Sequence, residues 1–140
     1  MRKTIYQTNF DRLVKLGIVR DGQLRANGRS QTGGFMDLVF EKLPYLDGFN
    51  GQACTAFSIA HYFKQNGDLC QDPEMVVLVY PDLQMAEAFS FQQAIPPIYQ
   101  EVYPEPGKFR PRLKKELNSF LRQWLTNFID QGHGKEWVQR

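Results

Sequence analysis

The sequence predicts an α+β fold: an N-terminal helix, an antiparallel meander sheet of four to five strands, and a long amphipathic C-terminal helix packed on one sheet face. Three observations carry this expectation. Apolar residues recur at helical spacing from Leu113 to Ile129. Short β-branched and aromatic runs, separated by Gly, Pro, Asn and Asp, fill the middle of the chain. Finally, 140 residues with 42% hydrophobic and 14% aromatic content match one core, so residues 1–140 read as a single domain.

The first element is a short helix. Thr8 is the expected N-cap, with the Asp11 carboxylate three residues on, near the positive end of the helix dipole. Phe10, Leu13 and Val14 form its apolar face, and Gly17 supplies a left-handed C-cap. Residues 18–34, with Gly22, Gly28, Gly33 and Gly34 among polar side chains, read as a flexible loop. Phe35 to Glu41 is the expected first strand, closed by Pro44 and the Asp47-Gly48 and Asn50-Gly51 pairs.

Residues 55–65 fit two periods. Alternation places Phe57, Ile59, His61 and Phe63 on one face, whereas a helix would align Ala56, Ile59, Ala60 and Phe63. The Asn66-Gly67 pair that follows decides for a strand entering a type I′ hairpin. Met75 to Tyr80 has little polar interruption and is expected near the sheet centre. Met85 to Gln92 and Ile98 to Tyr103 are weaker strands split by Pro96-Pro97. The final helix starts at Pro111, carries Leu113, Leu117, Phe120, Leu121, Trp124 and Leu125 on its apolar face, and ends before Gly132. Residues 132–140 read as a frayed tail.

Charge is segregated along the chain. Lys and Arg outnumber Asp and Glu by five in residues 1–30 (seven against two), are outnumbered by eight in residues 31–107 (two against ten), and lead again by five in residues 108–140 (eight against three). If the two ends pack side by side, they form a basic face opposite an acidic middle, suited to an anionic partner or to self-association. Arg110, Arg112, Lys114 and Lys115 gather at the start of the last helix, where backbone amides also favour anions, and Arg12 and Lys15 lie on the first helix. These six are the candidate binding residues. The aromatic residues Tyr80, Phe89, Phe91, Tyr99 and Tyr103 are expected to pack under the helix, the alternative being a stacking platform for bases.

Catalytic signals are sparse. His61 with Asp68 or Glu101 would suit general-base chemistry, but no GxSxG, HExxH, P-loop or Rossmann pattern accompanies them. The acids Asp68, Asp72, Glu74 and Asp82 match no EF-hand spacing and serve turn chemistry equally well. Cys54 and Cys70, with only His61 and His133 as further soft ligands, fall in no zinc pattern and read as reduced thiols. No metal or cofactor is expected. The hydrophobic content argues against a disordered chain, and the scattered charge against a membrane span. The polar start Arg2-Lys3-Thr4 does not suggest secretion, so the cytoplasm is the expected compartment.

The run His61-Tyr62-Phe63-Lys64-Gln65-Asn66-Gly67-Asp68-Leu69, followed by Asp72-Pro73-Glu74-Met75, resembles a signature of small uncharacterised bacterial proteins carried on plasmids and other mobile elements. Thr8-Asn9-Phe10, Met85-Ala86-Glu87 and Asn118 to Leu125 are similar to segments of the YqiB-like family of unknown function. The resemblance implies one bacterial domain and carries over no catalytic residue.

Together these readings favour a non-enzymatic macromolecule-binding protein, a regulator or inhibitor encoded on a mobile element, with a protein as its partner and a tendency to homodimerise. One alternative is nucleic-acid binding through the basic N- and C-terminal helices. The other is a small hydrolase-like or metal-dependent enzyme centred on His61, Asp68 and Glu101.

Overall fold

The computed structural model describes residues 2–105 and 107–139. Among them, two helices, α1 (Ile5–Leu16) and α2 (Pro111–Asp130), pack on an antiparallel sheet of six strands. The sheet is a pure meander, β3 (Asn27–Thr32), β4 (Phe35–Lys42), β5 (Thr55–Gln65), β6 (Asp68–Tyr80), β7 (Met85–Gln93) and β8 (Ile98–Glu101), each strand beside its sequence neighbour. A separate two-residue ribbon, β1 (Val19–Arg20) and β2 (Gln23–Leu24), precedes it. None of the described helices is long and apolar enough to cross a membrane.

The α+β class and the meander order agree with the expectation, but the sheet has six strands rather than four or five. The additional strand comes from the segment expected to be a loop. Asn27-Gly-Arg-Ser-Gln-Thr has no apolar alternation, yet it forms the sheet edge against β4. Its outer side is also paired: Arg29 and Val138 exchange backbone hydrogen bonds of 2.8 and 3.0 Å. Residues 132–139 are thereby docked rather than frayed, with Trp137 Nε1 donating to the Leu16 carbonyl at 2.6 Å and its ring edge-on to Phe40 at 4.9 Å. Gly28 makes this possible. A Cβ there would lie 2.8 Å from the Phe40 ring and 2.9 Å from that of Trp137.

Helix α1 begins earlier than Thr8. Thr4 is the N-cap, accepting from the Gln7 amide while Gln7 Oε1 accepts from the Thr4 amide, a reciprocal capping box for which Thr4-x-x-Gln7 has the right spacing. Gly17 ends the helix as expected, in the left-handed conformation. The period chosen for β5 also holds, since Thr55–Gln65 is a strand and Asn66 and Gly67 both take positive φ in the turn to β6.

Burial divides the sheet into two faces. Leu38, Phe40, Phe57, Ile59, Met75 and Val77 point toward the helices and meet Leu13, Leu16, Leu117, Leu121, Leu125 and Phe128. The opposite face carries a smaller core of Cys54, Ala56 and Leu78, covered by Leu43, Leu46 and Phe49 of the β4–β5 connection.

The helices run parallel. Lys114 Nζ lies 5.5 Å from the Tyr6 ring, Asn9 Nδ2 donates to the Asn118 carbonyl at 3.5 Å, and Arg12 Nε donates to Thr126 Oγ1 at 2.8 Å, so both chains advance together. Asn118 ties this pair to the sheet. Strand β8 pairs with β7 only from Ser90 to Gln93, and the Ala88 amide, short of that ladder, donates to Asn118 Oδ1 at 2.9 Å. Asn118→Leu keeps the volume but leaves that amide buried without an acceptor, so it should lower stability by about 1–3 kcal/mol. Urea denaturation should show a lower midpoint at unchanged slope.

Candidate functional site

The sequence of β7 alternates so that Ala86 and Ala88 sit in the helix-side core and Glu87 falls on the opposite face. That places a carboxylate, 6% exposed, beside Tyr80 of β6 and Tyr103 beyond β8. Tyr80 Oη donates to Glu87 Oε1 at 2.5 Å, and Tyr103 Oη lies 2.9 Å from both carboxylate oxygens. From the fourth position of α2, Lys114 reaches past the sheet edge and brings its ammonium to 3.4 Å from Oε2. The same ammonium lies over the rings of Tyr6, Tyr103 and Phe109 at 5.5, 5.8 and 4.9 Å. Burial, then the charge and hydrogen bond of Glu87, push the Tyr80 and Tyr103 phenols well above their ordinary range, so both remain protonated donors. Burial also raises the nearby Cys54 thiol, which keeps it out of the nucleophilic thiolate form. A cleft of about 290 Å³ opens over this cluster, with Asn50, Gln52, Leu83 and Met85 on its other walls. The Glu87 carboxylate is engaged by both phenols and by Lys114, and neither phenol nor the thiol is activated.

His61, by contrast, is half-buried between β5 and α2. Its ring packs edge-on to Trp124 and Phe128 at 5.6 and 5.3 Å, and Trp124 Nε1 approaches Nε2 at 3.4 Å. The structure does not bring Asp68 or Glu101 to it. Asp68 pairs with Gln65 at the hairpin end. Glu101 pairs with Ser90, which lies across from Val76 and Ser58, placing it three strands from β5, or about 14 Å at the usual strand spacing. Among the described residues, no group of three or more His, Cys, Asp and Glu side chains could hold a metal ion.

The six candidate binding residues separate into two sets. Lys114 is committed to Glu87 and the three rings, and Arg110 Nη1 donates to the Glu101 carbonyl at 2.8 Å. Arg12 is half-buried against Thr126. Lys15, Arg112 and Lys115 are exposed, Arg112 with 94% of its side chain in solvent and Glu116 at 3.2 Å. Arg122, which sequence reasoning left out, is exposed on the same helix. The aromatic expectation holds for Phe91, which packs on Phe120 at 5.3 Å, and in part for Tyr103, which packs on both cores; Tyr80 and Phe89 face the other way, and Tyr99 is exposed.

With this geometry in place, a family match can be read against it: the model for a domain of unknown function, DUF6908, covers residues 8–134. The chain belongs to the DUF6908 family. No curated protein matches it, and neither does any solved structure. The span agrees with the expectation of one uncharacterised domain and takes in the whole sheet, α2 and the Glu87 cleft apart from Tyr6.

A second titratable pair of this DUF6908 domain lies behind α2. His133 is 4% exposed, with Nδ1 at 3.0 Å from Ser30 Oγ and its ring 5.9 Å from Phe128. His133 Nε2 and His61 Nδ1 are buried atoms with no side-chain hydrogen-bond partner among the described residues. Burial holds both imidazoles below the ordinary value of 6.5; the charge of His133 also lowers His61, while the Met36 backbone and then the Asp37 charge oppose the shift at His133. Since the folded-state values are depressed, stability is complete above about pH 6.5 and falls as acid protonates the unfolded chain first, by up to about 1.4 kcal/mol per pH unit for each histidine. Urea midpoints at about pH 7.5 and about pH 5.5 should show this loss, and His61→Gln with His133→Gln should flatten it.

Proposed function

We propose that this domain is a non-enzymatic binding module that engages an acidic protein surface through the basic outer face of α1 and α2. The observation that carries this reading is the parallel packing of the two helices, which joins the basic ends of the chain in one layer: Lys15 and Arg12 from α1, Arg112, Lys115 and Arg122 from α2. The acids Glu41, Asp47, Asp68 and Asp82 lie exposed on the strands and loops of the sheet, while basic side chains outnumber acidic ones on the exposed surface of the two helices. A protein partner is favoured over nucleic acid because Val14 and Phe120 are exposed on these helices at 49% and 39%, and Asp11, Glu116 and Asp130 interrupt the basic residues. The resemblance to mobile-element proteins makes a regulator or inhibitor of a bacterial protein the subtype we favour.

Affinity purification from a bacterial extract at low salt, with and without nuclease, tests the reading. A stoichiometric protein retained after nuclease supports it. Loss of all bound material on nuclease treatment, with a steep dependence on salt, would replace it with nucleic-acid binding.

A further inference from the structure

We propose that the Glu87 cleft binds a small, neutral, planar heterocycle of about nucleobase size. Charge sets the first limit. Glu87 and Lys114 neutralise each other at 3.4 Å, so the cleft holds no net charge, and a charged ligand would be desolvated there without a counter-ion. Hydrogen-bonding capacity sets the second. The Tyr80 and Tyr103 hydroxyls spend their protons on Glu87 and keep oxygen lone pairs for a ligand's N–H groups. Lys114 has three N–H donors, of which Glu87 and Tyr103, at 3.5 Å, take two. Asn50 accepts from the Gly107 amide at 3.3 Å through Oδ1, which fixes its NH₂ group as a donor, and Gln52 offers one donor group and one acceptor. The cleft therefore mixes donors with acceptors, as the edge of a heteroaromatic ring does. Shape sets the third: the volume of about 290 Å³ is at the small end for ligand sites, and Tyr6, Tyr103, Leu83 and Met85 offer ring and aliphatic surface to a flat ligand. This inference rests on different residues from the helix-face reading, and either stands without the other.

The test is ligand-observed NMR and calorimetry on the full chain with adenine, cytosine and uracil, set against benzoate and benzylamine as anionic and cationic rings of similar size. At least one base should bind tenfold or more tightly than either charged probe. Leu83→Trp, a change at an exposed side chain on the cleft wall, should weaken that base at least tenfold while leaving the melting temperature unchanged, and Gln52→Ala should weaken it several-fold. The proposal is overturned if no base binds, if benzoate or benzylamine binds equally well, or if Leu83→Trp leaves binding intact. A base that binds only as part of an oligonucleotide, and is released by charge reversal on α1 and α2 but not by Leu83→Trp, also contradicts it.

Discussion

Replacing Glu87 with Ala should cost about 3–5 kcal/mol, a large share of the 5–15 kcal/mol that holds a typical domain together. The loss comes from what is left behind. Tyr80 and Tyr103 would each keep a buried hydroxyl without its carboxylate acceptor, and Lys114 would keep an ammonium whose remaining neighbours are rings. Glu87→Gln should cost less, about 1–3 kcal/mol, because the amide oxygen still accepts from a phenol while the ion pair is lost. The two phenols give a second readout. With the carboxylate gone, their ionisation should move back toward the ordinary tyrosine range, visible as the tyrosinate absorbance on alkaline titration. If Glu87→Ala melts like the parent chain and both phenols titrate unchanged, the cluster described above does not hold the β7 edge.

Phe128→Ala should be comparably damaging, at about 3–5 kcal/mol, because the ring is fully buried at the meeting point of α2, β5 and the C-terminal turn. Its ring centroid lies 4.8 Å from that of Trp124 and 5.3 and 5.9 Å from those of His61 and His133. The cavity left behind would be lined by polar imidazole rings, a setting that admits water. His61 and His133 should then titrate closer to 6.5, and the acid sensitivity of the fold should shrink even as its stability at neutral pH falls. Histidine NMR titrations of Phe128→Ala and of the milder Phe128→Leu check both effects. A destabilised variant whose histidines titrate as in the parent would show that the ring fills space without shielding them.

Legibility of these features in the sequence followed the strength of the local signal. The α2 stripe spans five turns, and Asn66-Gly67 punctuates β5, so periodicity and turn chemistry sufficed for both. The ribbon β1–β2 and strand β3 escaped because two-residue strands cannot display alternation and β3 carries almost no apolar residue; pairing with Phe35–Lys42 and Val138 makes β3 a strand, while β1 and β2 pair only with each other. The start of α1 was legible in Thr4-x-x-Gln7, and the acid at Asp11 drew attention four residues too far along. The Glu87 cleft was hidden for a different reason. Alternation puts Glu87 opposite two alanines, but nothing local marks Tyr80, Tyr103 and Lys114 as its partners. Lys114 reads as one more member of the basic cluster at the start of α2, although it precedes Leu117 by three positions and Leu121 by seven and so shares the side of the helix that carries the apolar stripe. In the fold, the first turn of α2 reaches beyond the paired part of the sheet, so a side chain on the buried side of the helix meets a buried acid there instead of the apolar core.

The helix-face reading stands on the charge of exposed residues, and a matched pair of reversals tests it most directly. In one variant Lys15, Arg112, Lys115 and Arg122 become Glu, leaving Arg12 in place because it anchors α1 to Thr126. In the other, the exposed Arg20, Lys64, Lys108 and Lys135 become Glu, an equal change in net charge away from that face. With both variants melting near the parent temperature, protein recovered in the nuclease-treated pull-down should fall at least tenfold for the helix variant and remain within about twofold for the control. Equal losses from both variants, or full recovery with the helix variant, would contradict the proposal that α1 and α2 form the binding face.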